Sequence, residues 1–206
     1  MRNTGLTIAA LMLFGPLNAA LANPISEIGD AGDLIPTAQN VGPGIDSISG
    51  ILGTNDVDLF GINLSGGLFT ASTVGGSFAD TQLWLFDSAG FGIVANDDTA
   101  TQQSLISANL AAGFYFLGIS VWNVDPFSAD GAIFPDFQFC CNHPISGPTG
   151  PGGGSALSSW SVLGGGNQSG SYTITLNKQT VPEPGALLLF GMGILGMGLA
   201  GRRKKV

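Results

Sequence analysis

The sequence predicts an antiparallel β-sandwich body with a targeting segment at each end. Short apolar runs recur through the middle of the chain, and clusters of Gly, Asp and Asn separate them. No segment of the body shows the 3.6-residue period of an amphipathic helix. The 206 residues suit one domain with appendages, and the 44% hydrophobic and 10% charged composition excludes a charge-rich disordered chain.

Residues 1–22 have the pattern of a secretory signal peptide. Arg2 supplies a positive start, residues 6–17 are mostly apolar, and Ala20 and Ala22 form a small-x-small cleavage site for signal peptidase. The apolar stretch is too short for a membrane anchor, because a bilayer span needs about 20 residues. We therefore expect cleavage after Ala22 and an exported body.

Eight segments of the body, residues 23–180, have the composition or alternation of β-strands. The strongest is the segment 114–121, in which Phe114 and Phe116 oppose Leu117 and Ile119. Many short strands with regular turn residues favour a two-sheet sandwich. The eight predicted segments are 45–52, 57–64, 68–74, 83–86, 91–95, 105–110, 114–121 and 171–177.

An insert at about residues 125–170 breaks this rhythm. It contains the adjacent Cys140 and Cys141 and a Gly/Pro-rich stretch at 147–155. Such a composition buries little apolar area, so we expect a long irregular surface loop. The adjacent cysteines predict a strained vicinal disulfide, with linkage to another chain as the alternative.

The body is strongly acidic. It holds thirteen of the 14 acidic residues but, of the six basic residues, only Lys178, which gives a net charge of −12. This charge excludes nucleic acid as a partner.

The single histidine, His143, lies in the insert, where a lone loop histidine is more often solvent-exposed than catalytic. No G-x-S-x-G motif is present. A pair of aspartates could serve a glycosidase, but thirteen acidic residues make some pair inevitable. We predict no enzymatic activity.

Calcium is the one cofactor for which the sequence supplies candidate ligands. Calcium takes six to eight oxygen ligands from carboxylates, amides and carbonyls on turns. Because side chains alternate along a strand, Asp56 and Asp58 lie on one side, while Asp97 and Asp98 share one turn. The alternative is that these residues only form turns, which aspartate favours for backbone reasons. The candidate ligands are Asp56, Asp58, Asp80, Asp87, Asp97 and Asp98.

The C-terminal residues 181–206 have three parts in a fixed order. Pro182, Glu183 and Pro184 come first, an uncharged apolar run follows at 185–201, and a basic cluster ends the segment at 202–205. The apolar run predicts a transmembrane helix at the lower length limit for a bilayer. The basic end must stay cytoplasmic, so the body lies on the outer side of the inner membrane.

This tail resembles the PEP-CTERM protein-sorting signal of Gram-negative bacteria that make exopolysaccharide. The resemblance implies that an exosortase, a membrane protease, cuts near Pro182-Glu183-Pro184 and releases or re-anchors the body at the cell surface or outside the cell. The alternative is a permanent single-pass anchor.

Several phrases of the body, in their order, resemble the bacterial pre-peptidase C-terminal domain. These phrases are 27–33, 55–60, 80–87, 96–98, 110–119 and 170–176. The resemblance implies a jelly-roll-like β-sandwich that is not catalytic, in a family where some members bind calcium and some attach to substrate polymers.

Together these features predict an exported, non-enzymatic protein with a structural or adhesive role in an exopolysaccharide or biofilm matrix. The alternative is a calcium- or carbohydrate-binding module that keeps its membrane anchor. Trp122 and Trp160 lie near predicted loops and could stack on sugar rings of an extracellular polysaccharide.

Overall fold

A computed structural model describes residues 22–77, 80–136, 141–164 and 168–177. Most of the predicted signal peptide with Ala20, the sorting motif Pro182–Pro184, the predicted helix 185–201 and Cys140 lie outside these ranges. Within them, every helix or strand assigned is a β-strand, which confirms the all-β prediction. No helix in the described part of the chain is long and apolar enough to cross a membrane.

Thirteen β-strands form the described part of the chain. They are β1 (Pro24–Ser26), β2 (Gln39–Asn40), β3 (Ser47–Leu52), β4 (Val57–Leu64), β5 (Gly67–Ser72), β6 (Thr81–Asp87), β7 (Gly92–Asn96), β8 (Leu105–Leu110), β9 (Gly113–Val121), β10 (Val124–Ser128), β11 (Gly131–Ala132), β12 (Leu157–Val162) and β13 (Gly170–Leu176).

Two five-stranded sheets make the sandwich. The first has the order β1-β3-β13-β5-β8, and the second has the order β2-β4-β9-β6-β7. Neighbouring strands are antiparallel except for β1 with β3 and β2 with β4. Ile48 and Ile174 from the first sheet share one buried core with Phe60, Leu85 and Ile119 from the second. This shared core is what makes the two sheets one sandwich.

A third sheet, with the order β11-β10-β12, contributes to a second core beside the sandwich. Trp84 and Phe86 of β6 meet Phe134 and Leu157 there, whereas their neighbours in β6 face the main core. Both faces of β6 are therefore covered, which explains why Leu83–Phe86 is apolar at every position. Gly118 pairs with Trp84, and a Cβ there would lie 3.3 Å from Cδ1 of Leu59, tighter than an ordinary contact.

The expectation of an irregular loop at about 125–170 was wrong for the segments that form β10, β11 and β12. The glycines there allow close backbone packing, because a Cβ at Gly150, Gly152 or Gly153 would collide with a carbonyl oxygen. Ile133 and Phe134 are buried and supply the apolar area that the glycines lack. Composition alone suggested a loop, because these two side chains are buried only against β6, a contact that no local sequence pattern shows.

All eight predicted strands are present, with bounds shifted by a few residues at most. The sequence analysis missed β1 and β2 outside the insert, and β10 to β12 around and within it. The two missed strands outside the insert have three and two residues, too few to show a period.

Candidate metal centres

Two of the six predicted calcium ligands form turns. Asp56 accepts backbone N–H groups from Gly53 at 2.6 Å and Val57 at 2.9 Å, so both of its carboxylate oxygens are used. Asp87 accepts N–H groups from residues 89 and 91 through one oxygen. These bonds match the turn-forming role that was the alternative for aspartates at strand ends.

Asp58 belongs to a first group of carboxylates, which we call the Glu27 cluster: Glu27, Asp30 and Asp58. One carboxylate oxygen from each lies within 4.8 Å of the others. Asp58 lies on β4 and is fully buried, Glu27 is half-buried, and Asp30 is exposed. Glu27 is held in place because it accepts N–H groups from Ala31 at 3.1 Å and Ile51 at 3.0 Å.

Burial raises the pKa of Asp58 to about 8, and the negative charges of Glu27 and Asp56 add to this shift. The hydroxyl of Tyr172 opposes the shift by donating a hydrogen bond to Oδ2 at 2.7 Å. The other oxygen, Oδ1, is buried and accepts no hydrogen bond from a donor group, while the carboxyl of Glu27 lies close enough to share a proton with Asp58 and so raises its pKa further. A cation at this point would stabilise the charged carboxylate.

An open groove gives access to the Glu27 cluster. Its lining includes Ser26, Gly29, Ser49 and Gly76 beside Glu27 and Tyr172. Gly50 lets the side chains of Glu27 and Tyr172 lie close to the backbone of β3, because a Cβ at this position would collide with both. Solvent can therefore reach Glu27 from this side, while Asp30 and Asp58 do not line the groove.

A second group, the buried aspartate cluster, consists of Asp80, Asp97, Asp98 and Asp125. Asp80 precedes β6, Asp97 and Asp98 follow β7, and Asp125 lies on β10 of the third sheet. The four residues are 0–7% exposed. Each has a buried carboxylate oxygen without a hydrogen-bond partner, and in Asp97 both oxygens lack one.

Burial raises the pKa of all four aspartates in the buried aspartate cluster. Burial first, and then the charges of Asp98, Asp80 and Asp125, raise the pKa of Asp97 to about 9. Burial raises the pKa of Asp125 to about 7 and that of Asp80 to about 6. Burial also raises the pKa of Asp98, while the nearby His143 lowers it.

His143 faces this cluster, although the sequence suggested a solvent-exposed loop residue. Its Nε2 atom lies 4.0 Å from Oδ2 of Asp97, and its side chain is 20% exposed. The sequence analysis also missed Asp125, Glu27 and Asp30 as candidate ligands. One signal was available for Asp125: like Asp58, it interrupts an apolar strand, where a carboxylate needs a compensating partner.

Other predicted features have simpler roles or stay predictions. Cys141 is disulfide-bonded, while Cys140 lies outside the described residues, so the vicinal disulfide stays a prediction.

Trp160 packs edge-on against Trp84 and Phe86 at centroid distances of 6.1 and 6.3 Å, and its Nε1 donates to a backbone carbonyl at 2.6 Å. Trp160 remains half-buried and lines an open groove with Asp33 and Ser158, so stacking on a sugar ring stays a prediction.

Comparison with known proteins confirms the sorting motif in the predicted tail. Residues 180–204 match the family model of the PEP-CTERM protein-sorting motif, which implies export and processing by an exosortase. No curated protein matches the chain. The crystal structure of PliG, a periplasmic inhibitor of g-type lysozyme from Salmonella Typhimurium, is similar over 76% of this chain and 100% of that one, with 11% identity and a TM-score of 0.26. At that score the likeness supports no inference about fold or function. The chain thus has a confirmed sorting motif, which implies export, and a body that is all-β in the residues that the structure describes. The pre-peptidase C-terminal resemblance of this body stays a hypothesis.

Proposed function

We propose that this protein leaves the cell through its signal peptide, is cut by an exosortase, and serves as a non-enzymatic structural or adhesive component of an exopolysaccharide or biofilm matrix. The observation that carries the proposal is the sorting motif at 180–204 behind a β-sandwich body. Signal peptidase would act after Ala22, and the inner membrane would hold the tail only until cleavage. Release of sugars from exopolysaccharide by the purified protein would contradict the non-enzymatic role.

Processing is tested by measuring the intact mass of the protein exported from a host that has the exosortase. We expect loss of residues 1–22 and loss of the tail from a cut near Pro182–Pro184. A variant with Pro182, Glu183 and Pro184 replaced by alanine is the matched control and should keep its tail. Wild-type protein that retains residues 185–206 would instead establish a permanent anchor.

We further propose that the body binds calcium at the Glu27 cluster. All three side chains offer oxygen donors, as calcium prefers, and the buried Oδ1 of Asp58 accepts no hydrogen bond from a donor group. The open groove admits water, which can complete a coordination shell of six to eight oxygens. The described residues include no lysine or arginine, so no such side chain among them can neutralise the cluster.

Bound calcium would also favour contact between the body and an anionic polysaccharide. With a net charge of −12, the body repels anionic polysaccharide unless cations reduce its charge or bridge the two partners. Bound calcium would therefore support adhesion in the proposed setting.

Calcium titration followed by calorimetry and thermal unfolding tests this site. At a free calcium concentration of 100 times Kd, linkage predicts a gain of about 2.7 kcal/mol in the free energy of unfolding. Asp30→Asn should abolish this response, because it removes one charge while its oxygen can still accept the N–H group of Gly32. The matched control is Asp33→Asn, an exposed neighbour outside the cluster. Wild-type protein that gives neither heat nor a higher Tm would refute the calcium site.

A further inference from the structure

The loop that carries His143 is fastened to the end of β7. The backbone N–H groups and carbonyls of Ala95 and Ser146 form two reciprocal hydrogen bonds of 2.9 Å. The side chain of Asn96 donates to the carbonyl of His143 at 2.9 Å, and the N–H of Asn142 donates to Thr99. These bonds fix the backbone of His143 next to the turn that contains Asp97 and Asp98.

Asp97 lacks the partners that a buried carboxylate normally has. It is 0% exposed, and neither oxygen accepts a hydrogen bond. Leaving a buried charge without donors costs several kcal/mol, so such groups are normally paired or bound to a metal. Donors from Asp97, Asp98 and His143 lie within 4.8 Å of one another, which brings one imidazole nitrogen and two carboxylate oxygens together.

The charge around Asp97 exceeds what one imidazolium can neutralise. Asp80 and Asp125 lie close enough to raise the pKa of Asp97, and Asp98 is its chain neighbour. The described residues offer no lysine or arginine to balance these carboxylates, and His143 supplies at most one positive charge. A divalent cation supplies the additional charge without requiring the carboxyl groups to be protonated.

The donor set selects the kind of cation. Calcium and magnesium sites are built from oxygen, whereas imidazole suits zinc, copper, iron and nickel. The 4.0 Å between Nε2 of His143 and Oδ2 of Asp97 is wider than the roughly 3.4 Å between two ligands about 2.1 Å from a tetrahedral ion, so the imidazole would move about half an ångström toward Asp97 on binding. We propose that Asp97, Asp98 and His143 bind one first-row divalent transition-metal ion, with Asp80 and Asp125 adding negative charge around it. This site is separate from the Glu27 cluster and does not depend on the proposed calcium site.

The ion would also join separate parts of the fold. Asp97 and Asp98 follow β7 of the second sheet, and His143 lies in the segment between β11 and β12 of the third sheet. The metal would therefore fasten this segment to the edge of the sandwich.

The competing explanations are metal-free: an ion pair between His143 and Asp97, or an Asp97 carboxyl that burial keeps protonated. Both differ from the metal site in their spectroscopic predictions, because the chain contains one histidine. Any imidazole nitrogen bound to a paramagnetic ion must therefore come from His143, provided that the protein carries no histidine tag.

The experiment uses the full-length protein, free of divalent ions at the start, with Cu²⁺ for electron spin-echo spectroscopy and Zn²⁺ for calorimetry. We expect one Zn²⁺ per chain at this site, and the ¹⁴N coupling of a bound imidazole in the Cu²⁺ spectrum. His143→Ala should remove the ¹⁴N coupling and weaken Zn²⁺ binding by at least about 100-fold, which is the upper range for losing a residue that only supports a ligand.

Two further variants separate this site from folding effects and from the calcium site. Asp97→Asn should lose Zn²⁺ binding while the metal-free protein remains folded with an equal or higher Tm, because the amide has the same shape without the buried charge. Asp30→Asn should bind Zn²⁺ like the wild type even though it loses the calcium response. The proposal is overturned by a spectrum without ¹⁴N coupling, by unchanged Zn²⁺ affinity in His143→Ala, or by calcium binding at Asp97 that Zn²⁺ does not displace.

Discussion

Replacing Phe134 with alanine is expected to lower the free energy of unfolding by about 3–5 kcal/mol, the usual cost of removing a buried phenylalanine ring. Phe134 is 3% exposed and lies in the part of the chain whose composition suggested an irregular loop. Its ring meets Trp84 at a centroid distance of 5.4 Å and Phe86 at 6.0 Å. The loss should appear in urea unfolding followed by circular dichroism.

Phe91→Ala is the matched control for this prediction. Phe91 is 43% exposed, so its replacement should change stability by about 0.5 kcal/mol or less. If Phe134→Ala costs no more than Phe91→Ala, the third sheet does not pack on the sandwich as described here.

Stability without divalent cations is expected to fall by several kcal/mol as the pH rises from about 4 to about 9. The pKa values of Asp80, Asp125, Asp58 and Asp97 are raised from 3.8 to about 6, 7, 8 and 9, mainly by burial. In this window the folded protein binds more protons than the unfolded chain, so the free energy of unfolding decreases with pH.

Urea unfolding at pH 5 and pH 9 in the presence of a chelator measures this slope. Asp97→Asn should flatten it, because the amide does not titrate, whereas Asp33→Asn on the surface should leave it unchanged. Added divalent cations should restore stability at pH 9, since a bound ion replaces the protons. A chelated wild-type protein that is more stable at pH 9 than at pH 5 would show that the buried carboxyl groups are compensated in another way.

Local patterns were sufficient for much of this protein. Alternation of apolar residues along 57–64 and 105–110 predicted both strands with their observed bounds. This was possible because every second residue of a strand faces the core, so consecutive residues show the period. The tail was recognisable for the same reason, since the order of Pro182-Glu183-Pro184, the apolar run and the basic end lies within one short segment. Aspartate chemistry also indicated oxygen-ligand sites, and Asp58, Asp80, Asp97 and Asp98 do lie in the two clusters.

Which of these residues meet was decided only by the tertiary structure. Asp56 and Asp58 are two residues apart, yet one closes a turn and the other is buried against Glu27, which comes from a different segment. Asp125 and His143 lie far along the chain from Asp97 and reach it only because the third sheet packs on β6. Sequence patterns report the neighbours within one element, whereas a metal site and a buried insert depend on contacts between distant segments, which exist only once the sheets have packed.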